Sequence, residues 1–590
     1  LALTADSARV NGAWAAHALR PAQVIAVRGF DQGALMDWLP ALASTCLTDN
    51  APPCATASTS LQDPTALASG AWLYRVKLSP GEHWETALQL PMQAIDGASV
   101  TLGGMTDLDA RERAVAEQWR ALVDRTRVDI EAAPEIGGSL RTALAHILIN
   151  RHGVAIQPGT RSYSRSWIRD GAMTSGALMR LGHADAARDF LDWFLPFQFD
   201  SGKVPCCADA RGADPVPEHD SHGELIYLIA ELFRFDRDKD ALRRRWPSVK
   251  AAIQYMDALR ASERSERNQT ADRSAYFGLL PPSISHEGYS DRPAYAYWDN
   301  FWGLLGYKDA VDIADALDLR DEAGRIRNAR DGYRKDLYAS LQAAMQHHEI
   351  NFLPGAADRG DFDATSTTIA LAPGGETAML PQEALRATFE LYWQHFVARR
   401  EGRSDSTLYT PYEWRVVGSL LRLGWVDKAQ QAVQYFMADR RPVAWNQWAE
   451  VVVHDPRKSH FIGDMPHGWV ASDFIRSTLD MLAYERESDQ SMVLAAGVSA
   501  TWRAGEGVRV QALRTPWGAL SYWLRAHGER RVMLHVEAGL DMPPGGLRFW
   551  LPDHPHAKLA APQASIELES RDGHQEWVIR ALPATLELRW

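Results

Sequence analysis

Between Leu140 and about Glu487 the sequence repeats one alternation: a helical stretch, a brief break, a second helical stretch, then a long connection. The spacing predicts twelve helices, beginning near 138, 171, 184, 221, 239, 298, 320, 382, 411, 426, 445 and 467. The sixth shows the signal well. Trp298, Phe301, Trp302 and Leu305 fall at i, i+3, i+4 and i+7, one face of a helix. The long connections lie at 153–170, 198–220, 263–297, 346–368, 399–411 and 453–466 and carry Gly, Pro, Asp, His and aromatics. Long loops in compact domains are functional or disordered, and this aromatic content argues against disorder. About a dozen paired helices with elaborate loops on alternate connections imply six hairpins closed into a toroid. The long loops then share one end, and a pocket forms there.

The flanking stretches read differently. Residues 1–106 show short apolar runs (Val24–Val27, Trp72–Val76, Leu88–Leu90) cut by Gly, Pro, Ser and Asn, which predicts a β-sandwich-type domain. Residues 107–137 open with a polar helix bearing Val115, Trp119, Leu122 and Val123 on one face, read as a linker helix. The barrel then spans 138–487. From 488 to 590 short alternating runs such as Val508–Leu513 and Arg531–Val536 predict a C-terminal β-domain. The expected architecture is therefore multidomain and mainly α: an (α/α)6 barrel with β-domains at both ends.

Composition removes several classes of function. Apolar residues are 46% and charged residues 23%, a globular balance, and the net charge of −12 comes without a basic run interleaved with aromatics. Nucleic acid is therefore not an expected partner. No apolar stretch of about 18 residues is present, so no membrane insertion is expected. The chain begins Leu-Ala-Leu, as a trimmed form would. Cys46 and Cys54 flank a short loop suited to a disulfide in an oxidising compartment, whereas the adjacent Cys206 and Cys207 are poor partners for each other. A periplasmic or secreted location is the expectation, with the cytoplasm as the alternative. Twenty-two tryptophans, several in polar loop-like contexts, suit either carbohydrate pockets or a Trp-rich core.

Five constellations carry candidate chemistry. Trp167-Ile168-Arg169-Asp170 ends the first long loop; an Arg fork beside a carboxylate can hold two hydroxyls of one sugar, or form a plain ion pair and cap. Glu218-His219-Asp220-Ser221-His222-Gly223-Glu224 offers metal-type side chains, but no second cluster has metal-motif spacing. No metal or cofactor is expected there, and Glu218 and His219 read as a hydrogen-bonding wall. The stretch 277–302 offers Glu287, Tyr289, Trp298 and Asp299: aromatic faces stack on pyranose rings, and carboxylates grip hydroxyls or protonate a glycosidic oxygen. Glu413 suits either a helix-dipole partner or a substrate contact. Finally Trp448 and Glu450 precede Asp464, His467 and Trp469 around the last helix start. A carboxylate such as Glu450, between tryptophans, amides and valines, is a buried structural acceptor or a tuned catalytic group.

With those residues in view, the chain resembles the six-hairpin glycosidases, in particular the bacterial glucoamylase-like (family 15-type) enzymes. Trp167-Ile168-Arg169-Asp170 is similar to the family's Trp-x-Arg-Asp, whose Arg and Asp bind the non-reducing sugar. The resemblance implies Glu287 as general acid and Glu450 as general base. There are departures. Glu287 follows Ser285-His286 where the family has a Trp and another acid, and Val451 stands where the family commonly has Gln. Tyr297-Trp298-Asp299 is closer to trehalase-like relatives, where the Asp contacts substrate, so Asp299 and Asp464 stand as alternative carboxylates.

The function implied is a glycoside hydrolase that degrades an oligo- or polysaccharide, glucose-containing and exo-acting, by inversion with two carboxylates. Three other readings use the same residues: an inverting phosphorylase, an α/α-toroid polysaccharide lyase, and a non-catalytic carbohydrate-binding protein.

Overall fold

The computed structural model describes residues 1–46, 60–91, 108–284, 289, 291–404, 411–450, 464–571 and 574–590. These fall into two compact units, Leu1–Gln118 and Trp119–Trp590.

The first unit carries two small sheets. Strands β1 (Ala2–Leu3), β2 (Ser7–Val10) and β3 (Ala13–Ala18) form one sheet with β6 (Leu88–Gln89), while β4 (Val24–Arg28) pairs with β5 (Ser69–Leu73). Leu3, Ala8, Ile25 and Val27 form one buried cluster. Helix α1 (Leu35–Cys46) was not foreseen in this stretch; its apolar residues are crowded around an internal Pro40, which blurs the period. Cys46 is disulfide-bonded, and Cys54 lies outside the described residues.

Helix α2 (Leu108–Val123) carries the chain across the boundary between units. The stretch 107–137, expected as one linker, is divided. After α2 comes strand β7 (Arg127–Ile130), and then α3 (Pro134–Asn150) begins with Pro134 in its first turn. Arg-Val-Asp-Ile alternates exposed and buried side chains over four residues, too short to register against a helix-rich background.

The remaining helices alternate around a ring. They are α4 (Ile168–Arg180), α5 (Ala184–Phe194), α6 (Asp220–Asp236), α7 (Lys239–Glu263), α8 (Tyr297–Ala316) and α9 (Arg320–His347). Then come α10 (Ala364–Leu371), α11 (Gln382–Arg400), α12 (Trp414–Arg422), α13 (Val426–Ala438) and α14 (Gly468–Leu482). The even-numbered helices from α4 to α14 touch in sequence, and α14 closes on α4. Outside them, α3 packs on α14, α5 on α4 and α6, α7 on α6 and α8, α9 on α8, α11 on α10, and α13 on α12. Among the described residues this is the expected (α/α)6 toroid.

Two expected helices differ. The helix placed near 445 is only a 3-10 turn, Val443–Trp445, ended by Asn446 at φ 52°. In its place the ring uses α10. Asp363 caps α10 by accepting from the Ser366 N–H at 2.9 Å. Three threonines in eight residues gave it no helical signature.

The inner helices are buried nearly all round because each is enclosed by neighbours. Every residue of α4 from Ile168 to Met179 is buried. Such enclosure needs close backbones. A Cβ on Gly223 of α6 would lie 2.0 Å from the Trp302 carbonyl oxygen of α8, so no larger residue fits there.

The first two long connections hold a small sheet of β8 (Ser166–Trp167), β9 (Cys207–Asp209) and β10 (Gly212–Ala213), and the chain closes with β11 (Ala483–Arg486), β12 (Ser491–Leu494), β13 (Val508–Thr515), β14 (Gly518–Ala526) and β15 (Arg531–Val536). β16 (Leu547–Phe549), β17 (Lys558–Leu559), β18 (Ile566–Arg571), β19 (His574–Ile579) and β20 (Ala584–Arg589) complete it. Two sheets result, in the orders β17-β20-β15-β14-β13-β7 and β11-β12-β16-β19-β18. The early strand β7 thus forms an edge of a C-terminal sheet. One hydrophobic cluster runs from Val128 through the barrel to Leu588, so residues 488–590 share the barrel's core. Within the described residues no helix is long and apolar enough to cross a membrane.

Candidate active site

Connections from an inner helix to the next outer one are short, such as Leu181–His183 and Arg237–Asp238, whereas those from outer to inner are long. All six inner helices therefore start at the end where the long connections gather. Their N-termini present unpaired N–H groups and a positive dipole end, which favours carboxylates in the first turn. Asp170, Asp220 and Asp299 occupy such positions.

Arg169 is the hub. Its Nη1 donates to Glu218 Oε2 at 2.6 Å and to Asp220 Oδ2 at 2.9 Å. Trp298 Nε1 donates to the same Asp220 oxygen at 2.8 Å. Burial alone would lower the Arg169 pKa, but Glu218 and Asp220 outweigh it and hold the guanidinium firmly charged. Asp170 is buried beside it and adds to that field. Residues of three successive hairpins, 49 positions apart for Arg169 and Glu218 and 78 for Asp220 and Trp298, are thus joined in one buried network.

The Trp469 ring lies beneath this network, 5.4 Å from the Arg169 guanidinium and 6.4 Å from the Trp298 ring. Arg415 stands on the other side, 5.3 Å from the rings of Trp469 and Tyr412 and 5.1 Å from that of Trp298. Its Nε approaches Asp473 Oδ2 at 3.6 Å, and its buried Nε and Nη1 have no hydrogen-bond acceptor among the described residues. A guanidinium caged by aromatics with donors to spare suits a hydroxylated ligand.

Glu450 joins the group from the α13–α14 connection. It is 8% exposed and accepts from the Tyr412 hydroxyl at 3.3 Å. His467 Nε2 lies 3.9 Å from Glu450 Oε2, but this is not an ion pair. Burial depresses the His467 pKa to about 3, leaving the imidazole neutral. His467 Nδ1 accepts from the Val470 N–H at 3.4 Å, so the proton resides on Nε2, facing Glu450.

The other expected site residues divide into two groups. Trp167 precedes α4 and packs edge-on against Tyr163, whose ring also meets His467. His219 is buried at the start of α6 with its pKa lowered by burial to about 4, and its ring lies 5.9 Å from that of His222. Asp299 accepts from Ser283 Oγ at 2.5 Å, and the neighbouring Ile284 N–H donates to Pro217 O, next to Glu218. Glu287 lies outside the described residues.

Four further expected site residues make contacts with the surrounding chain. Both Glu413 oxygens face α11, taking Arg399 Nη1 at 3.0 Å, Arg399 Nη2 at 2.6 Å and the Tyr392 hydroxyl at 2.7 Å. Trp448 donates to Phe436 O at 2.7 Å and packs between Trp414 and Phe474, as core. Asp464 accepts from the Arg161 and Tyr163 N–H groups and from Arg161 Nε, clamping the first long loop; these bonds pull its pKa down against the effect of burial. Tyr289 donates to Asp361 at 2.8 Å and joins two long loops.

Sequence reasoning missed Tyr163, Tyr412, Arg415 and Asp473 as members of the cluster. Arg415 and Asp473 stand among apolar residues of α12 and α14, but those helices also carry Arg422, Arg476 and Asp480, so charge alone does not single them out.

No protein-family model matches the sequence, and no curated protein sequence matches it. Solved structures do match. An α-L-rhamnosidase from Dictyoglumus thermophilum superposes with TM-score 0.54 at 11% identity, covering 79% of this chain and 50% of that one. A bacterial glucoamylase complexed with acarbose gives 0.53 at 14% identity, covering 80% and 72%. The family GH78 rhamnosidase of Bacillus sp. GL1 gives 0.50 at 10% identity, covering 73% and 43%. The chain spans about half the length of the first of these, and less of the last. The shared feature is the fold, an (α/α)6 barrel accompanied by β-domains.

Proposed function

We propose that the chain is a glycoside hydrolase that cleaves a glucose-containing oligo- or polysaccharide, acting from the chain end and with inversion. The observation that carries this reading is the buried Arg169–Glu218–Asp220–Trp298 network, linked through the rings of Trp469 and Tyr412 to the buried Glu450. The network provides a fork and carboxylates for sugar hydroxyls, and Glu450 provides a second, separately held carboxylate.

In the proposed reaction Glu450 is the general base. Tyr412 donates its hydroxyl to it, and the neutral His467 stands beside it without a full positive charge. Glu287 is the proposed general acid, protonating the departing oxygen. Water activated by Glu450 then attacks the opposite face of the ring, which calls for a carboxyl separation of ~6.5–9.5 Å. Arg169 and Asp170 would hold the terminal sugar, and Arg415 would meet a hydroxyl beyond it. The disulfide-bonded Cys46 supports a periplasmic or secreted location.

The test is a panel of α- and β-linked gluco-oligosaccharides with and without phosphate, followed by NMR of the anomer first released. Inverted product without phosphate is expected, and Glu450→Gln and Glu287→Gln should each lower kcat by ~10²–10⁴ while leaving the fold intact. Turnover only with phosphate would make the enzyme a phosphorylase. Full activity in Glu450→Gln would remove Glu450 from the mechanism.

A further inference from the structure

Behind the Arg169 network, Cys206 and Cys207 are both buried and free, and their sulfurs lie 2.8 Å apart. Consecutive side chains on a strand point to opposite faces, which keeps adjacent sulfurs apart. Here the strand β9 (Cys207–Asp209) begins only at the second cysteine, so the backbone turns between them and brings the sulfurs together. The sequence-based expectation that neighbouring cysteines are poor partners is thus met by a local geometry that overcomes it.

A carboxylate oxygen of Asp214 lies with both sulfurs in a group within 4.8 Å, which raises a metal as one reading. The sulfur spacing disfavours it. A zinc ion ~2.3 Å from both sulfurs would subtend an angle of about 75°, far below a tetrahedral angle of about 109°. A disulfide needs the sulfurs to close to ~2.05 Å, a displacement of less than about 1 Å.

We propose that Cys206 and Cys207 form a vicinal disulfide by exchange with a small-molecule disulfide such as oxidised glutathione. One cysteine, as its thiolate, attacks a glutathione sulfur and expels one glutathione thiolate. The second cysteine then attacks the mixed disulfide and expels the other. Two electrons pass to the oxidant, the two cysteine protons end on two glutathione thiols, and one S–S bond replaces another. The Cys207 hydrogen bond and burial both hold the Cys206 thiol well above its usual range, so the folded protein reacts slowly. Adjacent Cα atoms are ~3.8 Å apart, closer than ordinary disulfides permit, so the ring should be readily reduced again.

The pair is connected to the candidate site through the backbone. Cys206 O accepts from the Ile168 N–H at 2.9 Å, immediately before Arg169. Strand β8 (Ser166–Trp167) pairs Trp167 with Cys207, and Cys207 O accepts from Asp214 N–H at 3.0 Å, on the loop leading to Glu218. Closing the ring therefore acts on both segments that carry the Arg169–Glu218 ion pair, whatever chemistry that pair serves.

The test uses the full chain, incubated over hours with oxidised glutathione or with dithiothreitol, acid-quenched, denatured, alkylated with iodoacetamide and digested with trypsin. Cleavage after Lys203 and Arg211 isolates residues 204–211, in which Cys206 and Cys207 are the cysteines present. After oxidation this peptide should be lighter by two hydrogen atoms and unalkylated; after dithiothreitol it should carry two carbamidomethyl groups. Two carbamidomethyl groups after oxidation, or a glutathione adduct on one cysteine beside a free one, would overturn the proposal. Amide hydrogen exchange should differ between the two forms at 165–171 and 214–220 and not in Cys206→Ser. Equal exchange in the two wild-type forms would overturn the coupling to the site.

Discussion

Glu224 lies one turn below Asp220 on α6, fully buried, with neither oxygen hydrogen-bonded among the described residues. Burial first, and then the nearby Asp220 charge, raise its pKa well above the usual value of 4.5, against the pull of Arg169. A carboxyl whose folded pKa is raised binds its proton more tightly in the native state than in the unfolded one. Stability from this group is therefore full below about pH 4.5 and declines as pH rises toward the folded value. Gln is close in shape and always neutral. The thermal midpoint of Glu224→Gln should match wild type near about pH 4 and exceed it by a margin that widens toward about pH 8; a constant difference across that range would mean that Glu224 does not titrate as described. Arg169 has the opposite character, a buried charge satisfied by two carboxylates. Arg169→Ala leaves Glu218 and Asp220 without it and should cost about 3–5 kcal/mol in denaturant unfolding. Arg169→Lys keeps the charge without the fork and should recover only part of that stability.

Helix α6 meets α8 through Gly223, where an added Cβ would collide with the Trp302 carbonyl oxygen. Gly223→Ala gains helix propensity, worth up to about 1 kcal/mol, but must push the two helices apart, an overpacking cost of ~1–3 kcal/mol or more. A lowered thermal midpoint is expected, and a raised one would show that the ring tolerates expansion there. Much of the ring was legible before the structure because its helices are long and strongly periodic, and because loop length alternates with connection type. What escaped was short or chemically mixed. The eight residues of α10 hold three threonines, and the stretch after Val443 mimicked an amphipathic helix although Asn446 turns it away. The cluster was legible in part for a related reason. Arg169 and Asp170 stood at a helix start, where dipoles and long loops meet, and Glu450 stood on a long loop. The partners of Trp448, Glu413, Asp464 and Tyr289 are distant loops and helices, contacts that no local pattern encodes.

Residues 488–590 share one core with the barrel and pair with β7, a strand that precedes every helix of the ring. Truncation after Glu487 should therefore abolish cooperative unfolding of the Trp119–Trp590 unit, and a truncated chain that still melts cooperatively would show the barrel to be self-sufficient. The same pairing bears on how the molecule is made. Thr126 donates to the carbonyl of Ala512, 386 residues further on, and Glu131 N–H donates to Gly507 O. During synthesis Val128 and Ile130 emerge with no partner, and about half a minute or more of elongation separates them from the strand that will cover them. Until then they form an uncovered apolar edge, the kind of surface that aggregates or is held by chaperones. The Trp119–Trp590 unit thus gains its β7 edge only once β13 has left the ribosome, so a stop before Val508 leaves that early edge without its covering strand.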